Sequence, residues 1–309
     1  MNKALIIIKS PGIGDLQIML SNIHHISKEI DKPVTILAQK NTGAEAVFKH
    51  DPHVDEILNL GKKDFFNIIN KIKSRKFSQC YIYNDSMRLY LISKLSGISK
   101  VYNYPFFSKE GKNFYKTAKE FTEKVLQKKI NSASKIYWDN NEIEKAKRNY
   151  NIKNDIKNIV CGISASGPTK RYDIDNYIKL FQKINSEFSC KFFLAGGRND
   201  EILIKKVMAS VENCVSLSKL SIEQIIPIIA SCQYYIGNDT GFGHLSANLN
   251  SKCLMLFCDS PPSAYGLWNP NIKIIVPSGR TIESCGHNTR GKDKISFDEV
   301  FKKSLELIN

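Results

Sequence analysis

The chain alternates between short runs of branched and aromatic residues and longer stretches whose apolar positions recur every three or four residues. In the first half ALIIIK, PVTILAQ, DEILNL, QCYIYN and KVYNYP read as strands. Between the first two, Leu16, Met19, Leu20, Ile23, Ile26 and Ile30 keep helical spacing. After a Lys- and Asn-rich interval near Asn149 to Lys157, NIVCGIS opens a second series. It continues through DNYIKLFQKINSEF, CKFFLAGG, DEILIKKVMASV, SIEQIIPIIASC, YYIGND, HLSANL and KCLMLFC. Such alternation predicts parallel sheets covered by helices, an α/β architecture. The low-apolar interval reads as a linker, which gives domains 1–155 and 156–309. Two doubly wound units in tandem leave a cleft, and the loops that follow the strands are where chemistry is to be sought. The last segment, SFDEVFKKSLELIN, reads as a helix that could pack back on the first domain.

Composition narrows the partners. A length of 309 residues with 42% hydrophobic content suits two ordinary domains. The 45 Lys and Arg against 30 Asp and Glu give a formal net charge of +15, so an anionic partner is expected: nucleic acid, a phosphorylated small molecule or an anionic membrane surface. The basic residues are scattered through KKDFFNIINKIKSRK, KKINSASK and EIEKAKRNY and read as solvated helix faces. Eight cysteines form no CxxC pair and sit mostly in apolar runs, as buried core residues in a reducing compartment do. Cys253 with Cys258, and Cys285 with His287, match no familiar zinc spacing, so no metal is expected. MNKALIII is too short an apolar run for a signal peptide, and no stretch of about 18 uninterrupted apolar residues occurs. The expected location is the cytoplasm, with any membrane contact peripheral.

Four loops carry candidate chemistry. In KSPGIGDLQ, Gly12 and Gly14 permit close approach of a ligand, and Asp15 could cap the helix that follows. A dinucleotide fingerprint needs a glycine where Gln17 stands, and the Asp15 carboxylate would repel a pyrophosphate. In YYIGNDTGFGHLSANL, a strand ends at Asn238, and Thr240-Gly241 leads into a helix whose free N–H groups suit a phosphate or diphosphate. Asp239 would then meet sugar hydroxyls, while His244 either serves the ligand or braces the loop. In GISASGPTKRYDIDNY, Ser164, Ser166 and Thr169 are hydroxyl donors, and Lys170 could neutralise a diphosphate leaving group. LAGGRNDEIL places Asp200 and Glu201 at a further strand end, where a carboxylate could hold a ribose diol.

Together GIGD, TKRYDIDNY and GNDTGFGHLSANL followed by LMLFCDSPPSAYGLWNP resemble glycosyltransferase family 9, the heptosyltransferases of lipopolysaccharide core synthesis, over most of the chain and in the same order. The resemblance implies the GT-B fold, two Rossmann-like domains facing across a cleft, with the acceptor on the first and the nucleotide-sugar on the second. It implies inverting transfer of a sugar, foremost heptose from ADP-heptose, to a lipopolysaccharide core or related cell-surface glycan, without a cofactor. By position it implies that Asp15 is the general base, that Lys170 meets the donor phosphates, and that Asp239, Thr240 and Gly241 hold the sugar and diphosphate. Leu220 falls where the family packs a side chain against adenine, and Glu201 or Asp200 where it binds ribose. The chain departs from the family in having no Leu-Pro after the Gly-Asp pair, and the segment from Lys100 to Asn151 matches no acceptor motif. A GT-B nucleotide-sugar epimerase of the non-hydrolysing type is the nearest alternative. A basic nucleic-acid-binding protein is a second, disfavoured because Lys and Arg are not gathered with aromatics.

Overall fold

Strands whose side chains are apolar on both faces can be satisfied only between two layers of helix, and both β1 (Ala4–Ile8) and the neighbouring Val34–Ala38 strand are buried at every position. The computed structural model of the protein describes residues 3–9, 12–61, 65–106, 113–132 and 134–309. It divides into two compact units, Met1–Tyr137 and Trp138–Asn309. The first runs from β1 through α1 (Ile13–Ile30), β2 (Val34–Ala38), α2 (Ala44–Val47), β3 (Val54–Asn59), α3 (Phe65–Lys73), β4 (Gln79–Ile82), α4 (Met87–Leu95), β5 (Lys100–Asn103) and α5 (Phe114–Leu126). Its strands form one parallel sheet in the order β3-β2-β1-β4-β5. The order reverses between β1 and β4, so the loop after β1 opens at the switch point of the sheet.

Helix α1 is buried on more than the predicted stripe. Besides Leu16, Met19, Leu20, Ile23 and Ile26, its Gln17, Ser21, Asn22, His24 and Ser27 are also inside, because α5 covers the side turned away from the sheet. Asn22 is hydrogen-bonded there: the Thr122 hydroxyl donates to Asn22 Oδ1 at 2.7 Å and lies 2.7 Å from the Tyr83 hydroxyl.

The second unit runs α6 (Asn140–Asn149), β6 (Lys157–Gly162), α7 (Ile174–Glu187), β7 (Cys190–Ala195), α8 (Glu201–Met208), β8 (Cys214–Ser216), α9 (Ile222–Ala230), β9 (Tyr234–Asn238), α10 (Gly241–Asn248), β10 (Lys252–Leu256), α11 (Pro262–Tyr265), β11 (Ile272–Ile275) and α12 (Phe297–Ile308). Its parallel sheet has the order β11-β10-β9-β6-β7-β8, with the reversal between β6 and β9. The loops after β6 and β9 therefore flank one switch point. The edge strands β8 and β11, of three and four residues, are not among the predicted strands.

The division between units falls at Tyr137, ahead of residue 155. Helix α6 packs on α9 of the second unit, and the Lys191 ammonium donates to the carbonyls of Tyr150 and Asn151. The polar interval that reads as a linker is thus the turn that leads into β6. The final helix α12 is buried within its own unit, on α7, β10 and β9, with the Tyr234 hydroxyl donating to the Ile308 carbonyl at 3.0 Å.

Seven of the eight free cysteines are buried and Cys214 is half-buried. Burial pushes the thiols of Cys190 and Cys214 up to about 11 and those of Cys80 and Cys258 up to about 12, so they remain packing groups at neutral pH. Among the described residues, no helix is long and apolar enough to cross a membrane.

Candidate active site

The second sheet brings its glycines together before it brings its functional groups together. Gly162 of β6 pairs with Gly237 of β9. A Cβ on Gly237 would lie 2.5 Å from the Gly162 backbone, and one on Gly162 would lie 1.8 Å from the Tyr235 hydroxyl oxygen. Gly243 of α10 is constrained too, since its Cβ would come within 2.7 Å of Met255 Cε and 2.9 Å of the same ring. Tyr235 fills the space the glycines leave, donates to the Asn238 carbonyl at 2.7 Å and lies 3.1 Å from Thr240 Oγ1. The strand end and the start of α10 are thereby fixed against each other.

Asn238 ties the two switch-point loops. Its Nδ2 donates to the Ser164 carbonyl at 3.3 Å and its Oδ1 accepts from the Tyr172 backbone N–H at 2.9 Å. The next residue, Asp239, has both carboxylate oxygens committed inside the protein. Oδ1 is 3.0 Å from His244 Nε2, and Oδ2 accepts the Ser260 hydroxyl at 2.6 Å. The Trp268 indole N–H, which can only donate, reaches His244 Nδ1 at 3.2 Å. That bond assigns the acceptor role to Nδ1, so the ring proton sits on Nε2 and is given to Asp239. Burial alone would raise the Asp239 pKa, but the His244 and Ser260 bonds and the Lys170 charge outweigh it and hold the carboxyl below its ordinary range. His244 is therefore a brace: both of its nitrogens are engaged within the fold.

Thr240 is the N-cap of α10, with no side-chain capping bond, and Gly241 is the first helical residue. The opening N–H groups of a helix have no intrahelical partner, which leaves an electropositive strand end beside Asp239. On the neighbouring loop Lys170 ends a short turn of 3-10 helix, Pro168–Lys170. It takes part in no ion pair among the described residues, whereas Arg171 donates to the Ala165 carbonyl at 3.0 Å and pairs with Asp200 at 3.4 Å. Of the two adjacent cations, Arg171 holds the loop and Lys170 stands apart from that ion pair. Ser164 is buried beneath the loop and Ser166 is exposed on it.

The adjacent acids separate in the same way. Asp200 accepts the Gly197 backbone N–H at 2.9 Å and the Arg171 guanidinium, so its carboxylate is part of the turn. Glu201, half-buried in the first turn of α8, has no such bond among the described residues. Leu220 is half-buried in the turn between β8 and α9.

Residues that the sequence reading passed over complete the site. Asp259, after β10, accepts the Arg290 backbone N–H at 2.8 Å and the Thr289 hydroxyl at 3.3 Å. Burial works to raise its pKa, but the Thr169 side-chain bond, followed by those from Arg290 and Thr289, holds it below its ordinary value. Thr169 immediately precedes Lys170, so Asp259 is a strut for the cation's turn. Asp259, Ser260 and Trp268 all lie in or beyond CDSPP, polar residues after an apolar strand, and that signal could have found the first two.

In the first unit Asp15 is not the N-cap of α1. Gly12 occupies that position, and Asp15 is the third helical residue, half-buried, with its carboxylate 3.5 Å from where a Gly12 Cβ would lie. Gly14 lies between them in the first turn. Ser10 and Pro11 of the same turn lie outside the described residues.

Comparison with known proteins places this geometry. The family model described as glycosyltransferase family 9 (heptosyltransferase) matches residues 99–295. Lipopolysaccharide heptosyltransferase 1 of Campylobacter coli is 26% identical, over 94% of this chain and 93% of that protein. Among solved structures, a family 9 glycosyl transferase from Veillonella parvula superposes with a TM-score of 0.84 at 16% identity, covering 99% and 97% of the two chains. The E. coli heptosyltransferase WaaC with ADP gives a TM-score of 0.75 at 14% identity, covering 98% and 99%. A UDP-GlcNAc 2-epimerase from Neisseria meningitidis, bound to UDP-GlcNAc, gives 0.54 at 13% identity, covering 99% and 91%. The two parallel-sheet units thus have the architecture of the GT-B heptosyltransferases.

Proposed function

The chain belongs to glycosyltransferase family 9, the heptosyltransferases, and from that premise we propose that it moves heptose from ADP-heptose to a lipopolysaccharide-core acceptor with inversion. The observation that carries the donor assignment is the order of loops along the carboxyl edge of the second sheet. Asp239 follows β9, Lys170 follows β6, Glu201 follows β7 and Leu220 follows β8, and these four strands are consecutive neighbours. Strands lie about 4.8 Å apart, so the four ends span roughly 14 Å, the scale of an extended nucleotide-sugar. Sugar, diphosphate, ribose and adenine follow one another in a nucleotide-sugar as acid, cation, acid and apolar side chain follow one another along this edge.

The chemistry assigns each group a task. The acceptor hydroxyl oxygen attacks the anomeric carbon while the bond to the diphosphate oxygen breaks, and one base must take the hydroxyl proton. Asp15, at the switch point of the first sheet, has that role. The leaving group is an ADP anion that needs no protonation, unlike the alcohol released by a glycosidase. Lys170, the N–H groups that open α10 and the Thr240 hydroxyl stabilise the charge that grows on it. Asp239, with its orientation fixed from both sides, accepts from the sugar hydroxyls, and Glu201 rather than Asp200 accepts from the ribose. The first unit then binds the acceptor at the cytoplasmic face of the membrane.

Calorimetric titration with ADP-heptose, GDP-mannose and UDP-N-acetylglucosamine tests the donor. ADP-heptose alone should bind, and Asp239→Ala should abolish binding. Asp15→Asn should keep donor affinity and lose transfer by about a hundredfold or more. Wild-type transfer by Asp15→Asn would end the base assignment. Conversion of a nucleotide-sugar to its epimer without acceptor would favour the epimerase reading.

A further inference from the structure

Four of the seven exposed large hydrophobic side chains among the described residues sit on two neighbouring helices of the first unit: Phe66 on α3, and Met87, Leu91 and Leu95 on α4. The other three, Ile202, Met208 and Leu267, are dispersed through the second unit. The α4 residues are spaced by four, so they form one line along the helix, opposite the Leu89, Ile92 and Ser93 face that is buried on the sheet. Met87, Leu91 and Leu95 are 45–59% exposed and Phe66 is 78% exposed. A water-soluble fold has no use for such a line unless something covers it.

The charge around the line says what does. Residues 65–106 contain seven Lys and Arg and one acid, Asp85. Arg75 is paired with Glu56, while Lys71, Lys73, Lys76, Arg88, Lys94 and Lys100 are exposed. Lys73 follows Phe66 by two turns and Lys94 follows Leu91 by three residues, each on its neighbour's helix face. Residues 1–137 hold 23 Lys and Arg against 12 Asp and Glu, and residues 138–309 hold 22 against 18, so the first unit carries most of the chain's surplus. Apolar side chains with exposed cations on and beside the same helices are the composition of a surface that lies in a lipid interface, with the apolar groups among the acyl chains and the cations at anionic headgroups. A second copy of the chain is a poor cover, because it would set six cations against six.

We infer that the α3–α4 face is the surface by which this protein docks on an anionic lipid bilayer. The inference deepens the proposed function, and rests on it for its purpose, since a glycolipid acceptor lies in such a bilayer. Docking would hold the first unit, and Asp15 with it, at the height of the headgroups.

The test is co-sedimentation of the full chain with phosphatidylcholine vesicles, with and without phosphatidylglycerol, at low and high salt. The chain should sediment only with the anionic vesicles and less at high salt. Met87→Gln/Leu91→Gln/Leu95→Gln should lower partitioning by about tenfold, and Arg88→Gln/Lys94→Gln by a similar factor. Both variants should keep wild-type circular dichroism and wild-type affinity for ADP-heptose. Equal sedimentation with neutral vesicles, or wild-type sedimentation of the triple variant, would overturn the inference. So would light scattering that shows a wild-type dimer and a monomeric triple variant, which would make the face a self-interface. Absence of ADP-heptose binding in every form would instead sink the proposed function and leave the vesicle result standing.

Discussion

Trp268 touches no candidate ligand group, yet Trp268→Phe should weaken donor binding. The indole N–H reaches His244 Nδ1 at 3.2 Å, and His244 in turn gives its Nε2 proton to Asp239 Oδ1 at 3.0 Å. Phenylalanine keeps most of the buried ring and removes the donor. Loss of one buried hydrogen bond that leaves Nδ1 without a partner costs about 1–3 kcal/mol of stability. The part that reaches the ligand is the loosened aim of Asp239, worth about 1 kcal/mol, or about fivefold in the Kd for ADP-heptose. His244→Leu removes the bond to the carboxylate itself, a charge-assisted one worth about 1.5–3 kcal/mol, so its Kd should rise by about tenfold to a hundredfold. Because Trp268 acts through His244, the double variant should bind no more weakly than His244→Leu, within about 0.5 kcal/mol. Calorimetry on the four proteins measures the cycle. If Trp268→Phe still raised the Kd fivefold in the His244→Leu background, the indole would be acting through packing alone and the relay would be wrong.

Three further outcomes follow from the geometry. Asp259→Asn should raise the Kd for ADP-heptose by about tenfold through the Lys170 turn, with little added effect when Lys170→Ala is already present; additive losses in titrations of the double variant would contradict the strut. Gly162→Ala should lower stability by about 3 kcal/mol or more, since its Cβ would meet the buried Tyr235 hydroxyl at 1.8 Å, and an unchanged Tm would show that the two strands have room to part. His53 is held below its ordinary pKa by burial and by His24, so its neutral form belongs to the fold, and its contribution is complete above about pH 6.5 and lost as pH falls through the lower folded value. Thermal melts should accordingly fall from pH 7.5 to 5.5, and His53→Gln, which can still bond Ser27, should flatten that slope.

The architecture was legible because parallel strands buried on both faces leave continuous apolar runs, and β1, β2, β6, β7, β9 and β10 all carry one. The edge strands β8 and β11 pair on one side only and need no such run. The units divide at Tyr137, ahead of the Lys- and Asn-rich interval, because such composition reports exposure, and an exposed turn can lie inside a unit as easily as between two. The site divides along the same line. Thr240, Gly241 and Lys170 stand where a strand ends at a switch point, and that position alone marks them. What sets Asp200 apart from Glu201 is its bonding to the Gly197 N–H and Arg171, which is a matter of turn geometry and not of residue type. The same strand-end rule, applied to β10, points to Asp259 and Ser260, and only Trp268 escapes it. Trp268 reads as one more core aromatic because its functional atom is a single N–H, and a sequence cannot say which side of a buried indole faces a histidine. The candidate ligand groups are thus found from chain order, while the groups that hold them in place are found only once the chain has folded.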